Sequence, residues 1–422
     1  MGVPAADFAA YIGIDWADEE HDVYILAGDQ LVPDEVPLEQ YPEAIDHWAT
    51  QLHKRFGGQP VAVCLEQARG ALIYALQKYD FLVLFPINPK QLSCFREALD
   101  PSGSKDDPLD ARRLAEFLRN FHTQLRPWRP DDEITHSLRL LTESHRKLVD
   151  QRTAIGQQLR QALKEFFPLS LEFLGSQQIC APWFLKLLAK FSTLTDLQRA
   201  STRTLQRHFP SRRTTVDDAG DPRIARIRQA VPLVTDPALL LAGRMLVRSL
   251  VPLLAELNQA IQRYEKEIEK LMAKHPDAAI VRSFPGAGAA LAPRLIAALG
   301  TERERLSDAS ELQELSGIAP VTVQSGKSRK VRRRYACPKF LRQTFHELAD
   351  HSRLRSTWAR AFYDMRRKAG HRHHATLRAL AFKWIRIIFR CWKDRTIYNE
   401  QTYLQELRNK NSPILKFIPA IP

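Results

Sequence analysis

The chain has 422 residues, a net charge of +14, 44% hydrophobic residues and five cysteines. That length exceeds what one compact core organises, so two or three domains are expected. No apolar run approaches the ~18 residues of a membrane span, no basic start leads into an apolar signal region, and Cys64, Cys94, Cys180, Cys337 and Cys391 never form a C-x-x-C. These features argue against a membrane protein, a disulfide framework and a cysteine zinc site, and for reduced thiols in a cytoplasm.

The charge is polarised along the chain. Residues 1–130 hold 12 Lys/Arg against 20 Asp/Glu, residues 131–275 hold 22 against 16, and residues 276–422 hold 28 against 12. An acidic front and a strongly basic rear point to a polyanionic partner, a nucleic acid above all.

The first segment, 1–130, reads as α/β. "AAYIGIDW" and "DVYILAG" are β-rich runs around a turn, and "DQLVPDEVPL", with Pro33 and Pro37, is at best an edge strand. "YPEAIDHWATQLHKRF" predicts a helix, "VAVCLE" a strand, "ARGALIYALQKYD" a helix and "FLVLFPINP" a strand closed by proline. Hairpins followed by strand–helix–strand make a mixed sheet.

The segment 131–275 reads as helical. Leu250, Leu254, Leu257, Ile261, Tyr264, Ile268 and Leu271 step by alternating threes and fours, as do Leu138, Leu141, His145, Leu148, Arg152, Ile155, Leu159 and Ala162. Two such seams predict an antiparallel coiled coil with an inserted tip, a spacer or oligomerisation arm. Within 165–245, "FPLSLEFLG" and "QRHFPSRRTT" stand out as irregular insertions without an assigned role. The segment 276–400 opens on "FPGAGAALAPRLIAALG", where helix packing and a phosphate-binding helix start are both open readings. Further helices follow, including "ATLRALAFKWIRIIFRCW", and 401–422 reads as an extended tail.

Four acids occupy telling positions. Asp15 ends the first strand, Glu66 ends "VAVCLE", and Asp107 and Asp110 stand three apart at the start of a helix through Ala111, Leu114, Leu118 and Phe121. Singly, each has an ordinary reading: a turn cap, a helix leader, an N-cap before Pro108. Together, a shared helical face aimed at strand ends predicts that they converge. Converging carboxylates need neutralising cations, and hard oxygen donors suit Mg²⁺ or Mn²⁺ in two-metal phosphoryl transfer.

"GIDWA", "CLEQARG" and "SKDDPLDARRLA" resemble the D-E-D-D signature of a ribonuclease-H-like, RuvC-type domain. With "ELSGIAPVTVQSGKSRKVRRRYACPKFLRQTFHELA" and "GHRHHATLRALAFKWIRIIF", the chain resembles the insertion-sequence transposases known as bridge-RNA-guided serine recombinases. That resemblance implies an RuvC-like domain at 1–130, a coiled-coil region at 131–275 and a serine transposase domain at 276–400. It also implies Asp15, Glu66, Asp107 and Asp110 as metal ligands. Lys105-Asp106-Asp107 replaces a common Lys-Thr-Asp, which leaves Asp106 as an adjacent alternative, and "YACPKFLR" departs from the usual Gly-Asn before Leu-Arg.

Locally, Ser325 in "QSGK" is turn chemistry. The resemblance implies instead the nucleophile of a covalent 5′-phosphoserine intermediate. Lys327, Arg329, Lys330, Arg332, Arg333, Arg334, Arg342, Arg372 and Lys383 are the expected nucleic-acid contacts. The implied partners are donor and target DNA, a noncoding guide RNA and further copies of the chain, a homodimer assembling to a tetramer in the bacterial cytoplasm. Two rivals stand beside this reading. One is a Mg²⁺-dependent RuvC-like nuclease or Holliday-junction resolvase that hydrolyses DNA, and the other a non-catalytic nucleic-acid binder. A metal site at His371, His373 and His374 is a weaker idea than phosphate-facing or solvated histidines.

Overall fold

The structure, a computed structural model, describes residues 8–27, 34–66, 70–99, 107–175, 177–210, 221–326 and 328–418. Pro33, Asp106 and Lys327 lie outside the described residues. The chain divides into two compact units, 1–130 and 131–422.

The first unit is built on β1 (Ala10–Asp15), β2 (Glu20–Ala27), β3 (Asp34–Glu39), α1 (Pro42–Arg55), β4 (Val61–Leu65), α2 (Ala71–Leu76), β5 (Leu82–Pro86), α3 (Pro89–Leu99) and α4 (Asp107–Phe121). The sheet order is β3-β2-β1-β4-β5. β1, β2 and β3 pair antiparallel, whereas β1, β4 and β5 run parallel. The proline-bearing β3 is an edge strand, where a missing N–H costs no ladder bond.

Alternation sends Ile12, Ile14, Val23, Val63 and Leu65 to one face, packed with Trp48 and Leu52 of α1 and Ile73 of α2. On the other face, Ala62, Cys64 and Phe85 meet Leu114 and Leu118 of α4. Helices therefore cover both faces, an arrangement consistent with the ribonuclease-H-like fold.

α4 crosses β1 at Gly13, where a Cβ would lie 2.0 Å from the Ala111 carbonyl oxygen and 2.6 Å from the Ala115 amide nitrogen. Only glycine permits that approach. Gly13→Ala is expected to push α4 off the sheet and destabilise the fold by about 1–3 kcal/mol, read as a lower denaturant midpoint.

In the second unit, α5 (Glu133–Phe166) and α11 (Pro237–Lys274) pack along their length. Leu138 meets Ile268 and Met272 near one end, while Leu159 and Leu163 meet Val247, Leu250 and Leu254 near the other, so the helices are antiparallel. The polar interruptions of the seam are answered in kind: His145 faces Glu265 at 3.6 Å and Arg152 donates to Asn258 at 3.2 Å. Among the described residues α11 is the one helix long and apolar enough to cross a membrane by composition, and its buried stripe is spent on α5.

The expected irregular insertion is folded. α6 (Leu169–Leu174), α7 (Pro182–Lys190), α8 (Leu194–Arg199), α9 (Thr202–His208) and α10 (Pro222–Gln229) form a bundle. Its core of Phe184, Leu187, Leu197, Leu205 and Ile227 joins the seam at Phe166. Its helices are too short for a periodicity to show in the sequence.

Beyond the coiled coil come α12 (Ala278–Arg282), α13 (Leu291–Leu299), α14 (Ala309–Leu315), the hairpin β6 (Val321–Ser325) and β7 (Ser328–Arg332), α15 (Lys339–Ser352), α16 (Thr357–Lys368), α17 (His373–Lys393) and α18 (Glu400–Asn409). α13 is buried at every residue and serves as the core helix. The Gly-rich turn before it is a packing device, since a Cβ on Gly286 would lie 2.9 Å from the His351 backbone.

The expected extended tail is corrected: 400–409 are helical, 413–417 form a 3-10 turn, and Leu404, Leu407 and Ile414 are buried in the main core. Apolar residues at that spacing gain more by docking than by trailing in water.

Desolvation lowers the proton affinity of three histidines. Burial holds His275 below its ordinary pKa against the pull of Asp277 and Asp132, and its Nε2–H donates to Thr135 at 2.8 Å. Burial likewise lowers His145 despite Glu265, and lowers His346, with His374 and Arg378 adding to the effect. Asp132 behaves oppositely: burial raises it, but hydrogen bonds from Thr135 and Thr301 outweigh that and hold it at about 2. Below an unfolded histidine pKa of about 6.5 the unfolded chain binds more protons, so stability falls with acid. The urea midpoint is expected to drop between pH 7 and pH 5 through these histidines, with the Asp132 contribution lost only below about pH 4.

Candidate active site and nucleic-acid surface

Two of the expected carboxylates stand at the C-terminal ends of neighbouring strands. Ile14 is registered with Leu65 across the parallel β1–β4 pair, so Asp15 and Glu66, the next residues, end neighbouring strands. The turn after Asp15 is fixed by His21, whose Nδ1 accepts the Ala17 N–H at 3.1 Å, leaving Nε2–H for the Gln40 side-chain oxygen.

Asp110 stands on α4 beside the Gly13 crossing and is 3% exposed. Its two oxygens each accept from Arg96 of α3 at 2.6 Å, and the same guanidinium lies 4.0 Å from Glu66. Asp107 begins α4, and its side chain lies outside what the structure describes.

Arg96 was not singled out from the sequence; its signal is a lone cation on a helix facing the acid edge. It shows that the edge demands positive charge. Among the described residues no three acids, histidines or cysteines are grouped closely enough to hold a metal as they stand. The donor set nevertheless fits a hard divalent ion: carboxylate oxygens from two strand ends and one helix, one of them buried, neutralised here by a guanidinium.

Ser325 ends β6 and is registered with Ser328 across the hairpin. Gly326, at φ 54°, supplies the left-handed turn. Ser325 is exposed, and among the described residues its hydroxyl has no hydrogen-bond partner. Thr322, Val323 and Gln324 on one strand, and Arg329, Lys330 and Arg332 on the other, are exposed as well, so the ribbon stands clear of the core. Two strands alone in water are marginal, and such a ribbon gains order when covered.

At the foot of the ribbon, Arg333 and Arg342 line a cavity of about 570 Å³ with Lys339, His346, His374 and Arg378. The one acid in its wall, Glu347, is already held by Arg294 at 2.6 Å and Arg146 at 3.1 Å. The hollow is therefore positive, as a phosphate requires.

His346 and Arg378 were missed in the sequence. Two i, i+4 pairs, Arg342/His346 and His374/Arg378, were the legible signal. The other expected contacts scatter. Arg334 pairs with Glu314 at 3.4 Å, Arg372 precedes α17 without a side-chain capping bond, and Lys383 lies over the Phe362 ring at 5.2 Å, where burial lowers its pKa. Packed against the core, Lys383 is set apart from the basic hollow. His373 bonds the Tyr363 hydroxyl at 2.8 Å and stacks near His374 instead of joining a metal trio.

A mixed α/β/α unit with acids at adjoining strand ends, and a second unit presenting a basic hollow and a cationic ribbon, have the make-up of a nucleic-acid-processing protein. Two family models agree. The model of DEDD transposases of the IS110 type matches residues 12–168, and that of transposases of the IS116/IS110/IS902 family matches residues 278–364. The chain belongs to the IS110 family of DEDD transposases.

Among its relatives, the mini-circle putative transposase for IS117 of Streptomyces coelicolor is 28% identical over 93% of this chain and 95% of its own length. A putative transposase of Sinorhizobium fredii is 30% identical over 42% of this chain and 49% of its own length. The IS900 42 kDa protein of Mycobacterium paratuberculosis is 27% identical over 71% and 74%.

Proposed function

We propose that this transposase exchanges DNA strands through Ser325. The carrying observation is the exposed hydroxyl at the end of a cationic ribbon whose described residues include no acid. Its oxygen attacks a backbone phosphorus and the bond to the 3′ oxygen breaks. A 5′-phosphoserine and a 3′ hydroxyl result, the serine proton passing to the departing oxygen through solvent or a neighbouring base. A 3′ hydroxyl from another strand reverses the step and releases the serine. Phosphodiester energy is conserved, so joining needs no ATP.

Asp15, Glu66, Asp107 and Asp110 are the residues that would hold Mg²⁺ or Mn²⁺, taking Asp110 and Glu66 over from Arg96. The bound ions would stabilise charge on the phosphate oxygens. Arg329, Lys330, Arg332, Arg333, Arg334 and Arg342, with Lys327, grip the backbone, and Arg372 extends the same surface. Lys383 contributes through packing against Phe362.

A noncoding guide RNA pairing with donor and target DNA is the source of sequence choice in this reading. It is supported by a rear segment whose charge suits backbone contact over base readout. Further copies of the chain complete the assembly, bringing serine and carboxylates from different subunits to one linkage. The support is a second stripe on α11: Leu239, Leu246 and Leu253 recur every seven residues and are 38%, 44% and 52% exposed.

Incubation with Mg²⁺, candidate RNA and two DNA partners tests the reading. Joined products without ATP are expected, and hydrolysed fragments alone would favour the nuclease.

A further inference from the structure

The α6–α10 bundle falls between the two matched regions and has no task in the strand exchange just described. It holds a cavity of about 770 Å³ with Trp183, Lys186 and Lys190 on its wall. These stand at i, i+3 and i+7 on one face of α7. Arg207 and His208, at the end of α9, and Phe209 close the other side.

The aromatic wall is rigid. The Trp183 indole N–H donates to Gln177 at 2.6 Å, its ring meets Phe184 at 5.5 Å, and Phe209 is backed by the Arg223 guanidinium at 4.5 Å. Among the described residues no acid lines the hollow, and Lys186, Lys190 and Arg207 are exposed with no carboxylate partner there. The His208 Nδ1–H donates to the Thr204 carbonyl at 2.8 Å, which turns Nε2 away from its own helix.

A fixed indole half open to solvent offers a π-face, and three exposed cations, of which Lys190 also lies over the Phe191 ring at 5.6 Å, offer phosphate contacts. The volume exceeds one nucleobase and suits one or two nucleotides. A duplex keeps its base faces stacked inside, so only an unpaired strand meets both features. We propose that this cavity seats an unpaired segment of single-stranded nucleic acid, one base against Trp183 and its flanking phosphates on Lys186, Lys190 and Arg207.

The test uses the full-length protein and measures binding without cleavage, so its outcome and that of the serine chemistry are separable. Labelled 12-nucleotide RNA, DNA of the same sequence and the corresponding duplex are titrated by fluorescence anisotropy at several salt concentrations. Single strands carrying photoreactive bases are crosslinked and the modified peptides mapped. Crosslinks are expected at Trp183 or Phe209. Trp183→Ala is expected to weaken single-strand binding by about tenfold or more while sparing the duplex.

The double variant Lys186→Ala/Arg207→Ala, at exposed positions, keeps the test decisive if loss of the indole loosens the bundle. Its log–log salt slope is expected to be shallower by about 1.4, the value for two phosphate contacts on a single strand. Tighter binding of either RNA or DNA identifies the strand. Crosslinks confined elsewhere with both variants binding as wild type, or equal losses on duplex and single strand, would overturn the proposal.

Discussion

Replacing Ser325 with alanine is expected to lower strand joining by at least about 10³-fold while leaving nucleic-acid affinity within about twofold. The hydroxyl is exposed, unpartnered among the described residues and placed beside a turn formed by Gly326, so the alanine variant retains the ribbon. Ser328, registered directly opposite, is the control: Ser328→Ala removes an equally exposed hydroxyl from the same ribbon and should leave joining near wild type. Gel assays of joined product, run beside filter binding, separate chemistry from grip. If DNA were hydrolysed by water activated at the carboxylates, Ser325→Ala would cut as fast as wild type.

Asp110→Asn is expected to be almost as damaging, lowering the joining rate by at least about 10²-fold and blunting its dependence on Mg²⁺ concentration. The substitution keeps the shape of a side chain that is 3% exposed and removes its charge. The Arg96 guanidinium, now 2.6 Å from both Asp110 oxygens, would be left to Glu66 alone at 4.0 Å. Arg96 is partly exposed, so water compensates much of the lost pairing and the variant folds. Rates across a Mg²⁺ series, with Mn²⁺ binding followed by spectroscopy, distinguish a lost ligand from a lost fold. A purely binding role for the first unit predicts no change in rate.

The strands of the first unit were legible because β-branched runs bounded by turn residues leave few alternatives, and proline in 34–39 could only sit at an edge. The coiled-coil seam was legible from its spacing, including the two polar steps that Glu265 and Asn258 answer. The acids could be placed at strand ends by the same logic.

Features made by tertiary pairing were not legible. Nothing in "YIGIDW" says that a helix backbone passes 2.0 Å from where a Gly13 Cβ would be. Nothing near Arg96 says that its charge is spent on Asp110. The 165–245 bundle and the docked 400–417 segment were misread because short helices carry too few apolar positions for a period to emerge. Their stability comes from partners distant in sequence. His346 and Arg378 form a hollow only once α15 and α17 pack together.

The proposed strand exchange turns on a bond between one serine and DNA. The most direct measurement is to stop a reaction of protein, Mg²⁺, candidate RNA and both DNA partners with denaturant, digest the DNA and protein, and map any nucleotide-modified peptide by mass spectrometry. The prediction is a 5′-phosphate ester on Ser325 that is absent from Ser325→Ala. Joined DNA with no modified serine at that position would contradict it.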